Sequence, residues 1–117
     1  MLTKLAKILE LDYVNGCLLI SHDGQIHYSH FLASMPKDPT QFQWRDFIKT
    51  LDGIKEADIL FENTRLYLQR APIGYLIVLM ENFADVAMIR LQCEVLVPTL
   101  KPQAAKGLRR LFSKNRH

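Results

Sequence analysis

The chain has 117 residues, of which 49% are hydrophobic and 23% charged, with a formal charge of +3 and a pI near 9.0. That size fits one domain able to bury a true core, and apolar runs such as Tyr75 to Met80 are far shorter than the ~20 residues a bilayer span needs. Six of the fifteen Lys and Arg residues lie from Lys101 onward, where there is no acid, so the positive balance belongs to the tail and the body is mildly acidic.

Leu2, Leu5, Ala6 and Leu9 recur at helical spacing and predict a short first helix. Val14 to His22 is rich in branched residues, Asp23-Gly24 supplies turn chemistry, and Gln25 to Leu32 follows. Together they predict a hairpin. Prolines at 36 and 39 interrupt the pattern. A second helix is predicted from about Pro39 to Asp52: Asp38 serves as N-cap, Pro39 takes the first helical position and Gln41 completes a capping box. Trp44, Phe47, Ile48 and Leu51 form its apolar stripe, Trp44 reads as core, and Gly53 suits the stop.

Three strands are predicted next, Asp58 to Glu62, Arg65 to Arg70 and Tyr75 to Met80. The last is apolar on both faces and therefore central. Ala71-Pro72-Ile73-Gly74 between the last two fits a turn with Pro second and Gly fourth. Asn82, with Asp85 three residues on, is predicted to cap a third helix in which Val86, Ile89, Cys93 and Val97 share a face, and Pro98 ends or bends it. Beyond Pro102, Ala104, Leu108, Leu111 and Phe112 lie on one side of a short basic amphipathic helix, with Lys106, Arg109 and Arg110 largely on others. The order is helix, two strands, helix, three strands, helix, tail. This is an α+β pattern, αββαβββα, with a domain over 1–100 and a basic tail over 101–117.

The decade SHDGQIHYSH, Ser21 to His30, names the residue types of a hydrolase triad. Consecutive side chains of a strand point to opposite faces, so Ser21, His22 and Asp23 cannot converge on one reacting atom. His27 and His30 differ by an odd number and fall on opposite faces of their strand, leaving too few ligands on either side for a zinc site. A two-residue turn would set Cys17 opposite His30. A three-residue turn with Gly24 left-handed, which we prefer, pairs Gly16 with His30, Leu18 with Tyr28 and Ile20 with Ile26. Cys17 and Cys93 read as buried thiols, and no nucleotide loop or HExxH motif is present. No catalytic residue, metal or cofactor is expected. Arg65 or Arg70 is a conceivable arginine finger, but nothing in the sequence selects either.

Over about Met1 to Leu100 the chain resembles the roadblock/LC7 domain family, closest to the bacterial branch that regulates the gliding-motility GTPase. The resemblance rests on the element order, on Gly16, Leu18 to Ile20, Asp23-Gly24 and Ile26 in the first hairpin, and on LIVLMENFADVAMIRL. Within that last stretch Glu81-Asn82, Ala87 and Arg90 match the family's acidic-Asn pair, small residue and Arg. Ala87 stands where the family usually has Gly, and the second helix is bulkier than in many relatives. The resemblance implies a five-stranded antiparallel sheet with helices on both faces, profilin-like in layout. It also implies a homodimer formed through second helices and third strands, whose combined surface docks a small Ras-like GTPase without supplying a catalytic side chain.

The residues fit that expectation. DILFE is short and acidic, as an edge that pairs selectively should be, and offers Asp58, Leu60 and Glu62. Phe42, Arg45 and Lys49 lie opposite the Trp44 stripe. The expected activity is that of a cytoplasmic, non-enzymatic regulator or scaffold. Two other readings stand beside it: a small-ligand sensory module, marked by a sealed apolar cavity, and a binder of anionic surfaces through Lys106, Arg109, Arg110, Lys114 and Arg116. For such a tail an anionic membrane suits the amphipathic pattern better than nucleic acid, because the chain lacks the aromatic signature of an RNA-recognition sheet.

Overall fold

The structure is a computed structural model that describes residues 2–32, 43–61 and 64–100. In chain order it has α1 (Leu2–Leu9), β1 (Val14–Ser21), β2 (Ile26–Phe31), α2 (Trp44–Thr50), β3 (Glu56–Phe61), β4 (Thr64–Arg70), β5 (Gly74–Glu81) and α3 (Val86–Leu96), followed by a 3-10 turn, Val97–Thr99, that contains Pro98. The strands form one antiparallel sheet in the order β2-β1-β5-β4-β3. The two most apolar strands, β1 and β5, thus lie inside it, and the more exposed β2 and β3 lie at its edges.

Alternation sorts each inner strand between two core layers. On one face Cys17, Leu19, Tyr67, Leu76, Val78 and Met80 pack with Leu5 and Ile8 of α1 and Ile89, Cys93 and Leu96 of α3. On the other, Leu18, Ile20, Leu66, Leu68, Tyr75, Ile77 and Leu79 pack with Trp44, Ile48 and Leu51 of α2 and its C-terminal turn. Val14 and Cys17 share a face although their spacing is odd. An irregularity in the β1–β5 ladder between Val14 and Gly16 makes that possible.

The first hairpin turns as expected and then departs from the preferred register. Gly24 sits at φ 91°, and Ile20 pairs with Ile26. Beyond that pair the register shifts, so that Leu19 faces Tyr28 and Cys17 faces His30. His27 is the extra residue, and the shift places Tyr28 against the α1/α3 layer and Phe31 against the α2 layer. An unbroken ladder would have reversed both aromatics.

Other corrections are local. Gln43 has φ −78° and ψ 70° and takes the cap position of α2, so this helix begins at Trp44 and does not run unbroken from Pro39. Asp38, Pro39 and Gln41 lie outside the described residues. β3 starts two residues earlier than predicted, at Glu56. Asp85, rather than Asn82, caps α3 by accepting from the Met88 N–H at 3.3 Å. The β4–β5 turn matches its prediction, with Ala71 and Gly74 exchanging backbone hydrogen bonds of 2.7 and 3.1 Å. Gly74 also meets β1 so closely that a Cβ there would stand 1.9 Å from the Ile20 carbonyl oxygen. Only glycine fits that approach.

Candidate partner-binding surfaces

The polar decade of the first hairpin is absorbed by its turn. The Ser21 hydroxyl donates to Asp23 Oδ1 and receives the Gln25 N–H at 3.1 Å, and the Ser21 bond holds the Asp23 carboxyl below its ordinary range. The His22 ring instead stands edge-on to Tyr75, with centroids 5.7 Å apart. Ser21 and Asp23 therefore bond to each other, whereas His22 turns away, and the three side chains do not converge on one point. Both thiols are buried, and burial pushes their pKa up, that of Cys93 to about 12. A thiol so disposed is a poor nucleophile.

α2 is held from both ends by the sheet it covers. At its start, Gly24 of the hairpin turn lies against Arg45, so closely that an added Cβ would approach the Arg45 Cα to 2.8 Å. At its end the Tyr75 hydroxyl donates to the Leu51 carbonyl at 2.9 Å and also lies 3.2 Å from that of Ile54. Trp44, Ile48 and Leu51 are turned into the core, so the outward residues are Arg45, Asp46, Lys49 and Thr50.

The edge strand β3 pairs with β4 through six unbroken register positions, from Glu56 with Gln69 to Phe61 with Thr64. Its other side has no strand beside it among the described residues. Alternation sends Ala57 and Ile59 to the α2 layer and Glu56, Asp58 and Leu60 to the α1/α3 side. Leu60 is 63% exposed there. Asp58 is gripped by Arg65, whose Nε and Nη2 donate to its two carboxylate oxygens at 2.8 and 2.6 Å. Those bonds hold the Asp58 carboxyl below its ordinary range and commit Arg65 to a structural pairing.

Glu56 repeats the diagonal geometry one step along. It accepts from the Tyr67 hydroxyl, which also accepts from Gln69 Nε2 at 2.7 Å, and it pairs with Arg90 of α3 at 2.9 Å. Burial, followed by the bond to Glu56, raises the Tyr67 phenol well above its ordinary range. In each case the acid reaches the side chain two positions before its directly opposite partner. The network borders an open cleft of about 430 Å³ lined by Lys55, Glu56, Gln69, Arg70, Arg90 and Glu94. A second cleft, about 320 Å³, includes His22, Lys49, Asp52, Arg70 and Tyr75. Both are lined by charged side chains, unlike the sealed apolar cavity a sensory module would need.

The residues expected at a partner interface are thus divided. Arg45 and Lys49 lie on the helix that covers one face of the sheet, whereas Asp58 and Leu60 point to the opposite side. Phe42, Glu62 and the tail residues Lys106, Arg109, Arg110, Lys114 and Arg116 lie outside the described residues. What α2 and β3 can share is the free backbone edge with its half-buried Ala57 and Ile59. Neither residue is among those expected at the interface, although the alternation of EADILF is a sequence signal for the pair. No described helix is long and apolar enough to cross a membrane, and no cluster of three or more His, Cys, Asp or Glu side chains among the described residues could hold a metal ion.

No protein-family model and no curated protein matches the sequence, whereas solved structures match the fold. The gliding protein MglB from Thermus thermophilus superposes with a TM-score of 0.62 at 16% identity, over 83% of this chain and 82% of that one. An MglB with a tetrameric arrangement gives 0.68 at 17%, over 85% and 83%. A roadblock/LC7 domain from Streptomyces avermitilis gives 0.60 at 18%, over 81% and 88%. With helices on both faces of a five-stranded antiparallel sheet, the chain therefore has the fold of the roadblock/LC7 domains.

Proposed function

We propose that the protein is a non-enzymatic regulator or scaffold that dimerises through the β3 edge and α2, and that the joined surface binds a small Ras-like GTPase, with an effect on GTP hydrolysis. One contrast between the two sheet edges carries this reading. β2 is bulged at His27, so its ladder is interrupted, and bulges are a common means of blunting a sheet edge. β3 has a regular ladder, so a second strand added there would meet an evenly spaced row of backbone donors and acceptors.

The outward face of α2 supplies charge rather than apolar area, through Arg45, Asp46 and Lys49. Such groups contribute to orientation and partner choice more than to raw affinity. The resemblance of the fold to MglB, a gliding protein, supports a GTPase as the partner class. Domain limits of 1–100 and a separate tail at 101–117 belong to the same proposal, as does a cytoplasmic location.

The test is a light-scattering mass of the full chain at micromolar concentration, combined with titration of Ras-like GTPases of the same cell loaded with a non-hydrolysable GTP analogue. A dimer that binds one of them in the GTP state is expected. A monomer that neither binds nor accelerates any of them would refute the proposal.

A further inference from the structure

α3 carries more apolar surface than the described part of the chain covers. Of its eleven residues, VAMIRLQCEVL, only Arg90, Gln92 and Glu94 are polar. Ile89, Cys93 and Leu96 are buried against the sheet, yet Met88, Leu91 and Val95 are 47%, 58% and 76% exposed. Intervals of three and four set these three on one outer stripe.

The exit of the chain from α3 bears on what covers that stripe. The 3-10 turn Val97–Thr99 follows the helix, the Thr99 hydroxyl donates to the Leu96 carbonyl at 2.6 Å, and Leu100 is fully buried in the α1/α3 layer. Residues 101–117 therefore set out from the C-terminal end of α3. Within them Ala104, Leu108 and Leu111 are spaced by four and then three. Read backwards along α3, Val95, Leu91 and Met88 are also spaced by four and then three. Mirrored spacing is what an antiparallel helix pair requires, since each layer of the seam joins one residue from each helix. From this match we infer that the basic C-terminal segment folds back along α3 of its own chain, with Ala104 at Val95, Leu108 at Leu91 and Leu111 at Met88. Lys101, Pro102 and Gln103 form the connection, a usual length between neighbouring helices.

Charge favours the same occupant. In this register Lys114 comes level with Asp85, the cap of α3, and Arg116 approaches the turn that holds Phe83. There the turn before β1 meets the turn after β5, with Glu81 N–H donating to the Tyr13 carbonyl at 2.9 Å and the rings of Tyr13 and Phe83 edge-on at 4.8 Å. Both rings are more than half exposed, and Asp12, Glu81 and Asp85 beside them in sequence form no ion pair with a described residue. The C-terminal segment has six cations and no acid, so it meets acids it can pair with and rings that can accept a guanidinium. An α3 from a second copy would carry the same charges as the first and offers no such contrast. The contact uses neither α2 nor the β3 edge and is independent of the dimer and GTPase reading above.

The test uses the full chain. Leu91→Cys combined with Leu108→Cys is expected to close an intrachain disulfide under mild oxidation about tenfold faster than Leu91→Cys combined with Arg110→Cys, whose second thiol the register places away from α3. The natural thiols are buried and do not compete. Leu91→Lys replaces an exposed side chain and is expected to speed trypsin cleavage at Lys106, Arg109 and Arg110 about fivefold, because cleavage follows the population of the undocked segment. Equal rates for the two cysteine pairs, links formed only between chains, cleavage indifferent to Leu91→Lys, or a lower molar mass in that variant would overturn the inference. So would phosphatidylglycerol vesicles that bind the unaltered chain as tightly as Leu91→Lys, since the apolar side of the segment would then already be free for lipid.

Discussion

α2 and α3 cover opposite faces of one sheet and spend their apolar residues differently. α2 turns Trp44, Ile48 and Leu51 into the core and leaves charged side chains outside, whereas α3 buries Ile89, Cys93 and Leu96 and still exposes Met88, Leu91 and Val95. The first arrangement suits a surface that chooses partners by charge and by a free strand edge. The second suits association driven by apolar burial. One sheet can thus present two chemically distinct surfaces because its inner strands are apolar on both sides.

Alkali should break the symmetry between the layers most strongly. Cys17, Cys93 and Tyr67, whose protons are held above their ordinary range by burial, all belong to the α1/α3 layer. A raised folded-state value means stability that is intact below the unfolded value, near pH ~8.5 for a thiol, and lost as pH climbs through the folded one. Hydrogen exchange in α3 should therefore accelerate between about pH 9 and 12, before the emission of Trp44 in the other layer shifts to the red. A shift in Trp44 emission that came first would contradict this assignment.

Substitution sharpens the same contrast. Trp44→Ala should cost about 3–5 kcal/mol of stability by urea unfolding, because a large buried side chain leaves a cavity. Leu91→Ala on the outer stripe should cost no more than about 1 kcal/mol. Equal losses would mean that Leu91 is core. Tyr75→Phe comes last, at about 1–3 kcal/mol, since it strips the hydroxyl from the Leu51 and Ile54 carbonyls. Its signature should be faster amide exchange confined to the C-terminal turn of α2, with the α3 amides unaffected.

Much of this architecture was legible in advance. Helical spacing in α1, the double-faced apolar run of β5 and the Asp23-Gly24 turn each arise from local preference and burial pattern, and each stands where predicted. The interface residues were less legible. Sequence places Asp58 and Leu60 with Arg45 and Lys49 because it shows that a residue is polar or near an edge without showing which side of a sheet its strand presents. The outer stripe of α3 was visible as apolar letters, but only the fold shows that Ile89 and Cys93 already satisfy the sheet.

The sequence by itself determined the element types, their order, the central place of the doubly apolar strand Tyr75 to Met80 and the burial of both cysteines, because periodicity and side-chain chemistry act over a few residues. Tertiary structure alone decided the bulge at His27, the start of α2 at Trp44, the choice of Asp85 as cap and the side of the sheet to which each β3 residue points. Those features answer to demands made across the sheet. Tyr28 and Phe31 must reach opposite layers, and α2 must seat against Gly24 and Tyr75, so residues distant in the chain set their outcome.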